Sequence, residues 1–277
     1  MKPETTLRTV DSIDSNYLAA CELADCSHSL AEHVATLSAP ALLDTAPPDA
    51  EAGTAGTAEG AVVGGSLIAF AEGVSRQNKE DIMDSFLFAT LVANKAFNPE
   101  SQSDLWYGKF NDVLSKLGWL STHWSYARYR AAQQRFSMDE VGLEILGSAI
   151  AAASLPGPAS VAMLKVAKDA VTALSAKKEP LRLFERQTKT HRGGNFRIAA
   201  CSESADGGVS LAMAAVAFSA NTNVTNVLFW EWQHSDVETY RGENNLVFNT
   251  RVYAGVRAVV QEKLGKSAES AIEAFEI

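Results

Sequence analysis

The sequence predicts an α+β protein in which a helical N-terminal two-thirds packs on a C-terminal antiparallel β-meander. Three observations carry that expectation. Up to about residue 179 the large apolar side chains recur at helical spacing. After Pro180 the pattern shortens to alternation, and the breaks become brief and rich in Gly and Asn: Arg192-Gly193-Gly194, Asp206-Gly207-Gly208, Asn221-Thr222-Asn223 and Arg241-Gly242-Glu243-Asn244-Asn245. Gly and Asn tolerate positive φ and suit the tight connections of neighbouring antiparallel strands. Helices first and strands second point to a segregated layout, away from repeated βαβ units.

The first segment, residues 11–39, has helical spacing in Ala19, Leu23, Cys26, Leu30, Val34 and Leu37, and Pro40 ends it. Residues 1–43 thus read as an acidic helical arm. Residues 44–60, DTAPPDAEAGTAGTAEG, contain no large apolar side chain and read as a flexible linker, because such a composition buries too little surface to offset chain entropy. Residues 61–179 form the expected helical region. It opens with AVVGGSLIAFAEGV, taken as a helix with close packing at Gly64 and Gly65. KEDIMDSFLFATLVANKAF puts Ile82, Phe86, Ala89, Ala93 and Phe97 on one face and stops before Pro99. A second amphipathic helix follows through Leu105, Trp106, Phe110, Val113, Leu114 and Leu117, with Ser101 and Ser103 as candidate N-caps. A short aromatic and basic piece, WSYARYRAAQQRF, leads to Ser137-Met138-Asp139-Glu140, which has the form of a capping box. From Ile145 to Leu164 there is no charge, and Pro156-Gly157-Pro158 divides the run into two arms, a buried helical hairpin. A spanning helix needs about 20 apolar residues in one piece, so neither arm is long enough to cross a bilayer.

Residues 180–277 make the expected β region: LRLFERQTKT, FRIAACS, VSLAMAAVAFSA, VTNVLFWEWQH and NLVFNTRVYAGVRAVVQEKL all read as extended, and SAESAIEAFEI closes as a short helix. In the last strand Val252, Ala254, Val256, Ala258 and Val260 alternate with Arg251, Tyr253, Gly255, Arg257 and Val259. Trp230 and Trp232 flank Glu231 and read as sheet anchors, with a membrane interface as the alternative use of the pair.

Charge narrows the function classes. The chain of 277 residues carries a net −9, and residues 1–60 hold 10 of its 33 acidic side chains but only 2 of its 24 basic ones. An acidic front and a balanced body leave no clustered basic face for nucleic acid. The three cysteines, Cys21, Cys26 and Cys201, are too few and of the wrong parity for a disulfide scaffold and fit synthesis in a reducing compartment. The N-terminus has charges where a secretory h-region would lie, so cytoplasmic synthesis is expected, with release only by lysis or a signal-independent route.

The chain has no G-x-G-x-x-G, Walker loop, G-x-S-x-G or H-E-x-x-H. Cys21, Cys26, His28 and His33 cluster in sequence, yet on a helix Cys21 and His28 face nearly opposite to Cys26 and His33, so one tetrahedral ion cannot gather all four and no metal is expected. The residue that draws notice is Cys201 in FRIAACSES. Strand alternation puts Phe196, Ile198 and Ala200 on one face and Arg197, Ala199 and Cys201 on the other. Three readings of that thiol stand side by side: core filler, an acylation site at a strand end, or a nucleophile with His191 or His234 and an acid such as Glu231 or Asp236.

A helical N-terminal part, an Ala/Gly-rich hairpin and a C-terminal meander bearing a lone cysteine in FRIAACSES resemble the Evf family of bacterial insect-gut virulence factors. The resemblance implies an unusual α/β fold, no known enzymatic activity, no required cofactor, and a fatty acid such as palmitate joined by thioester to Cys201. On that basis the expected function is non-enzymatic and toxin-like, exercised at the membranes of an insect host, with a lipid surface as partner. Ile145, Ile150, Leu155, Met163, Leu211 and Met213 would line a slot for the acyl chain. The alternatives are a cysteine-dependent acyl-transfer or thioester-hydrolysing enzyme built on Cys201, His191 and His234, and a self-assembling or partner-binding module that releases its acidic arm.

Overall fold

A computed structural model describes residues 10–24, 41–44, 59–153, 155, 157–221, 224 and 226–273. The described residues form seven helices, α1 (Val10–Ala20), α2 (Arg76–Ala96), α3 (Ser103–Lys116), α4 (Met138–Ala152), α5 (Gly157–Ala176), α6 (Lys178–Thr188) and α7 (Thr250–Glu273). The strands are β1 (Ala41–Asp44), β2 (Glu59–Val63), β3 (Ser66–Phe70), β4 (Trp119–Tyr129), β5 (Arg135–Phe136), β6 (Gly193–Glu203), β7 (Val209–Ala220), β8 (Trp232–Gln233) and β9 (Val237–Phe248). Seven of them make one sheet in the order β1-β2-β3-β6-β7-β9-β4, and β5 pairs with β8 separately. The large sheet is mixed: β3 and β6 run parallel, all other neighbours antiparallel.

The class is therefore α+β, but strands and helices are interspersed and the expected segregated layout is corrected. Helices cover both faces of the sheet. One apolar layer joins Ile68, Phe70, Ala199, Cys201, Leu211, Met213 and Leu246 to α1, α2, α3 and α7. The other joins Leu67, Phe196, Ile198, Ala200, Ala214 and Val216 to α4, α5 and α6 and to Val227, Leu228 and Trp232. Because β6 and β7 are buried on both faces, they read as near-continuous apolar runs.

Five local readings change with it. VTNVLFWEWQH, expected as a strand, is strand only at β8 among the described residues. AVVGGSLIAF is a β-hairpin: Gly64 (φ +54°) and Gly65 (φ +71°) supply the two consecutive positive φ values that a two-residue turn between β2 and β3 requires. LRLFERQT belongs to α6, whose buried Phe184 and Thr188 are one helical repeat apart, with Pro180 tolerated in the first turn. The stretch after Asn249 is helical, with Asn249 Oδ1 accepting from the Val252 N–H at 3.2 Å, and Tyr253, Val256, Val260 and Leu264 form its buried stripe. Arg241–Asn245 lies inside β9 and makes no turn. The aromatic and basic piece supplies the second half of β4, an edge strand buried at its two ends, and all of β5.

The first helix ends at Ala20, short of the helix expected over 11–39, with Cys21–Ala24 irregular, and the N-cap of α3 is Gln102 in place of Ser101 or Ser103. Other elements stand as expected. The Glu140 carboxylate accepts from the Ser137 N–H at 3.0 Å at the start of α4. The uncharged hairpin is α4 and α5, with Ile145, Ile150 and Met163 buried. No helix among the described residues is long and apolar enough to cross a membrane. Residues 10–24 lie on the body: Leu18 is wholly buried, the Ala24 N–H bonds Leu91 O at 3.1 Å, and Lys263 Nζ donates to Cys21 O at 2.8 Å. β1, at the end of the expected arm, pairs with β2. The rest of the arm and residues 45–58 of the linker lie outside the described residues.

Candidate functional site

Cys201 lies near the C-terminal end of β6, between Phe70 of β3 and Leu211 of β7 in register. Its carbonyl accepts from the Ala71 N–H at 2.8 Å, and its side chain is wholly buried on the face covered by α1, α2, α3 and α7. Burial pushes the thiol pKa well up, with the Glu203 carboxylate adding to the rise and Lys79 opposing it. A thiol in that setting is almost never a thiolate at neutral pH, and the thiolate is the reactive form.

The histidines expected beside it are elsewhere. Cys201 is the ninth residue of β6, ~26 Å of extended strand from Gly193, and His191 lies in the bend before that far end, where the Thr190 N–H bonds Gly193 O at 3.0 Å. His234 follows β8 and is close in sequence to the start of β9, where Val237 pairs with Ala220 at the Gly193 end of the sheet. Both imidazoles are exposed and far from the thiol, and Glu231 is engaged with Arg135 at 3.3 Å. The Cys–His–acid set is not assembled.

The six slot residues are also divided. Leu211 and Met213 share the Cys201 layer, whereas Ile145, Ile150 and Met163 lie in the other layer and Leu155 packs against it. The sheet separates the two groups. Met163 Sδ comes within 3.5 Å of Ser202 Oγ, one residue from Cys201 but on the reverse face. Of the cysteine and histidine cluster, Cys21 is half-buried with its pKa raised by burial, and Cys26, His28 and His33 lie outside the described residues. No group of three metal-ligating side chains occurs among the described residues.

The structure adds a residue that the sequence reading placed on the Cys201 face without assigning it a role. Arg197 is 1% exposed. Its Nε donates to Ser66 Oγ at 2.8 Å, and its Nη2 donates to the Gly64 carbonyl and to Thr90 Oγ1. The guanidinium carbon lies 4.7 Å from the Trp106 ring centroid and 5.0 Å from that of Phe110. Among the described residues no carboxylate pairs with it, and desolvation pulls its pKa down to about 9. It borders a cleft of about 60 Å³ between the β2–β3 turn, the C-terminal end of α6 and the start of β6, with Thr90, Trp106, Thr190 and Asn195 among the walls. The only sequence signal for this site was an arginine inside an otherwise apolar strand.

No family model and no curated protein sequence matches the chain. Among solved structures, that of the Evf virulence factor is similar in overall layout, at 10% sequence identity and a TM-score of 0.32, over 76% of this chain and 82% of that one.

Proposed function

We propose that this protein is a non-enzymatic, toxin-like virulence protein that works at lipid surfaces and carries a fatty acyl chain joined by thioester to Cys201. The observation that supports the reading is the setting of the thiol: wholly buried in an apolar layer, pushed away from its reactive form, and remote from both histidines. Those features disfavour turnover and would shield a thioester, once formed, from water. The chemistry is transfer from an acyl thioester: the Cys201 sulfur bonds the acyl carbon, the donor's thiol leaves, and it takes up the proton that Cys201 gives up. Because the folded thiol is shielded, acylation precedes closure of α2 over the sheet or uses an opened state. Each methylene then buried contributes about 0.8 kcal/mol, and one chain alone gives only marginal membrane affinity, so a second contact is needed. The half-exposed Trp124 and Trp230 are suited to that contact, since amphipathic rings favour the bilayer interface.

The test is the intact mass of the purified protein before and after neutral hydroxylamine, with Cys201→Ser alongside, followed by vesicle flotation. The expected result is added mass equal to a fatty acyl group, removed by hydroxylamine and absent from the variant, with flotation lost in parallel. The bare polypeptide mass in protein from its native host would overturn the reading.

A further inference from the structure

A buried charge ordinarily has a counter-charge, because an unpaired one loses solvation that neutral dipoles restore only in part. Among the described residues Arg197 has no such partner. Ser66, Gly64 and Thr90 satisfy Nε and Nη2, while Nη1 makes no hydrogen bond to any described residue. A second group in the same cleft has the same deficit: Thr190 Oγ1 is buried with no hydrogen-bond partner among the described residues. Lys189, exposed at the cleft's edge, adds a second positive charge. The Asn195 amide is held against the wall by the Pro99 carbonyl at 3.2 Å, and the Gly65 N–H is tied to Gln187 Oε1 at 2.9 Å, so the cleft is braced on both sides.

Water would fill the space without supplying the missing charge. We propose that this cleft binds a small oxyanion, a carboxylate or a phosphate, with Arg197 Nη1, the Thr190 hydroxyl and the Lys189 ammonium as its donors. A cleft of about 60 Å³ is several times the ~15 Å³ that admits one water, which fits such a group and excludes a nucleotide. Trp106 and Phe110 against the guanidinium hold it in one orientation, and a fixed guanidinium recognises carboxylate and phosphate oxygens with little further ordering. This inference is independent of Cys201 acylation.

The experiment is titration calorimetry of the full chain with sodium acetate and, separately, sodium phosphate, at ionic strength held constant with sodium chloride. Saturable one-to-one binding of either probe supports the proposal, and the probe that saturates assigns the ligand to the carboxylate or the phosphate class. Thr190→Val and Lys189→Ala change only the cleft's rim and wall; each should weaken that binding about tenfold, the worth of one charge-assisted hydrogen bond. Arg197→Met should abolish it. If Arg197→Met fails to fold, the other two variants still decide. No saturation by either probe into the tens of millimolar, or binding that both rim variants leave within about twofold, overturns the proposal.

Discussion

Asp84 on α2 offers a quantitative test of the layer above Cys201. Its carboxyl is half-buried, and desolvation raises its pKa from 3.8 to about 6, with Gln261 opposing the rise through a 3.4 Å hydrogen bond and Asp81 and Glu80 adding to it. Folding therefore favours the protonated form. The folded chain holds more protons than the unfolded one between about pH 4 and pH 6, so stability from this group is full below pH 4 and is lost as pH rises through 6. A difference of about 2 pH units at 1.36 kcal/mol each gives an upper figure of about 3 kcal/mol, and residual exposure reduces it to ~2 kcal/mol. Asp84→Asn keeps the shape and removes the titration. Urea unfolding of both proteins at pH 4, 5, 6 and 7 should show near-equal stability at pH 4 and the variant ahead by ~2 kcal/mol at pH 7. A stability difference that does not change with pH, or that changes in the opposite sense, would refute the reasoning.

Three further outcomes are expected. Arg257 holds the wholly buried Asp81 carboxylate through Nε at 2.8 Å and Nη2 at 2.6 Å; Arg257→Met should cost about 3 kcal/mol in denaturant unfolding, and adding Asp81→Asn should restore most of it, because the loss comes from stranding a buried charge. Gly242→Ala would set a Cβ 2.7 Å from two Tyr107 ring carbons and 3.1 Å from Ala215 Cβ. With Tyr107 wholly buried and packed 5.4 Å from Tyr126, overpacking should cost about 2 kcal/mol and lower Tm by several degrees in calorimetry. Leu18→Ala should cost about 3 kcal/mol if α1 is an integral part of the α7 layer; an unchanged midpoint would mean that α1 contributes nothing to the body.

The helices α2 and α3 were legible because their apolar side chains recur on one face over several turns, as in Ile82, Phe86, Ala89 and Ala93, and no strand can bury such a pattern; α4 and α5 were legible from an uncharged run divided at Pro156-Gly157-Pro158. The Ser137–Glu140 cap is local chemistry and needed no tertiary context. The antiparallel pair β6–β7 followed from the short Asp206-Gly207-Gly208 connection, and the face assignment of Arg197 and Cys201 from alternation.

Three features depended on long-range packing. In α7 the alanines imitate period two, and only contact with α1 and α2 shows that Tyr253, Val256, Val260 and Leu264 are the residues that matter. AVVGGSLIAF is short and apolar throughout, so its hairpin became definite only when β3 paired in parallel with β6 and helices covered both faces of the sheet. The site itself was the least legible. Sequence alternation gives the side on which a residue sits, but not which helix covers that side. Whether Cys201 meets a histidine, and whether Arg197 meets a carboxylate, is therefore decided by how distant segments of chain come together. In this sheet the first pair is separated by most of the length of β6, and the second has no acid among the described residues.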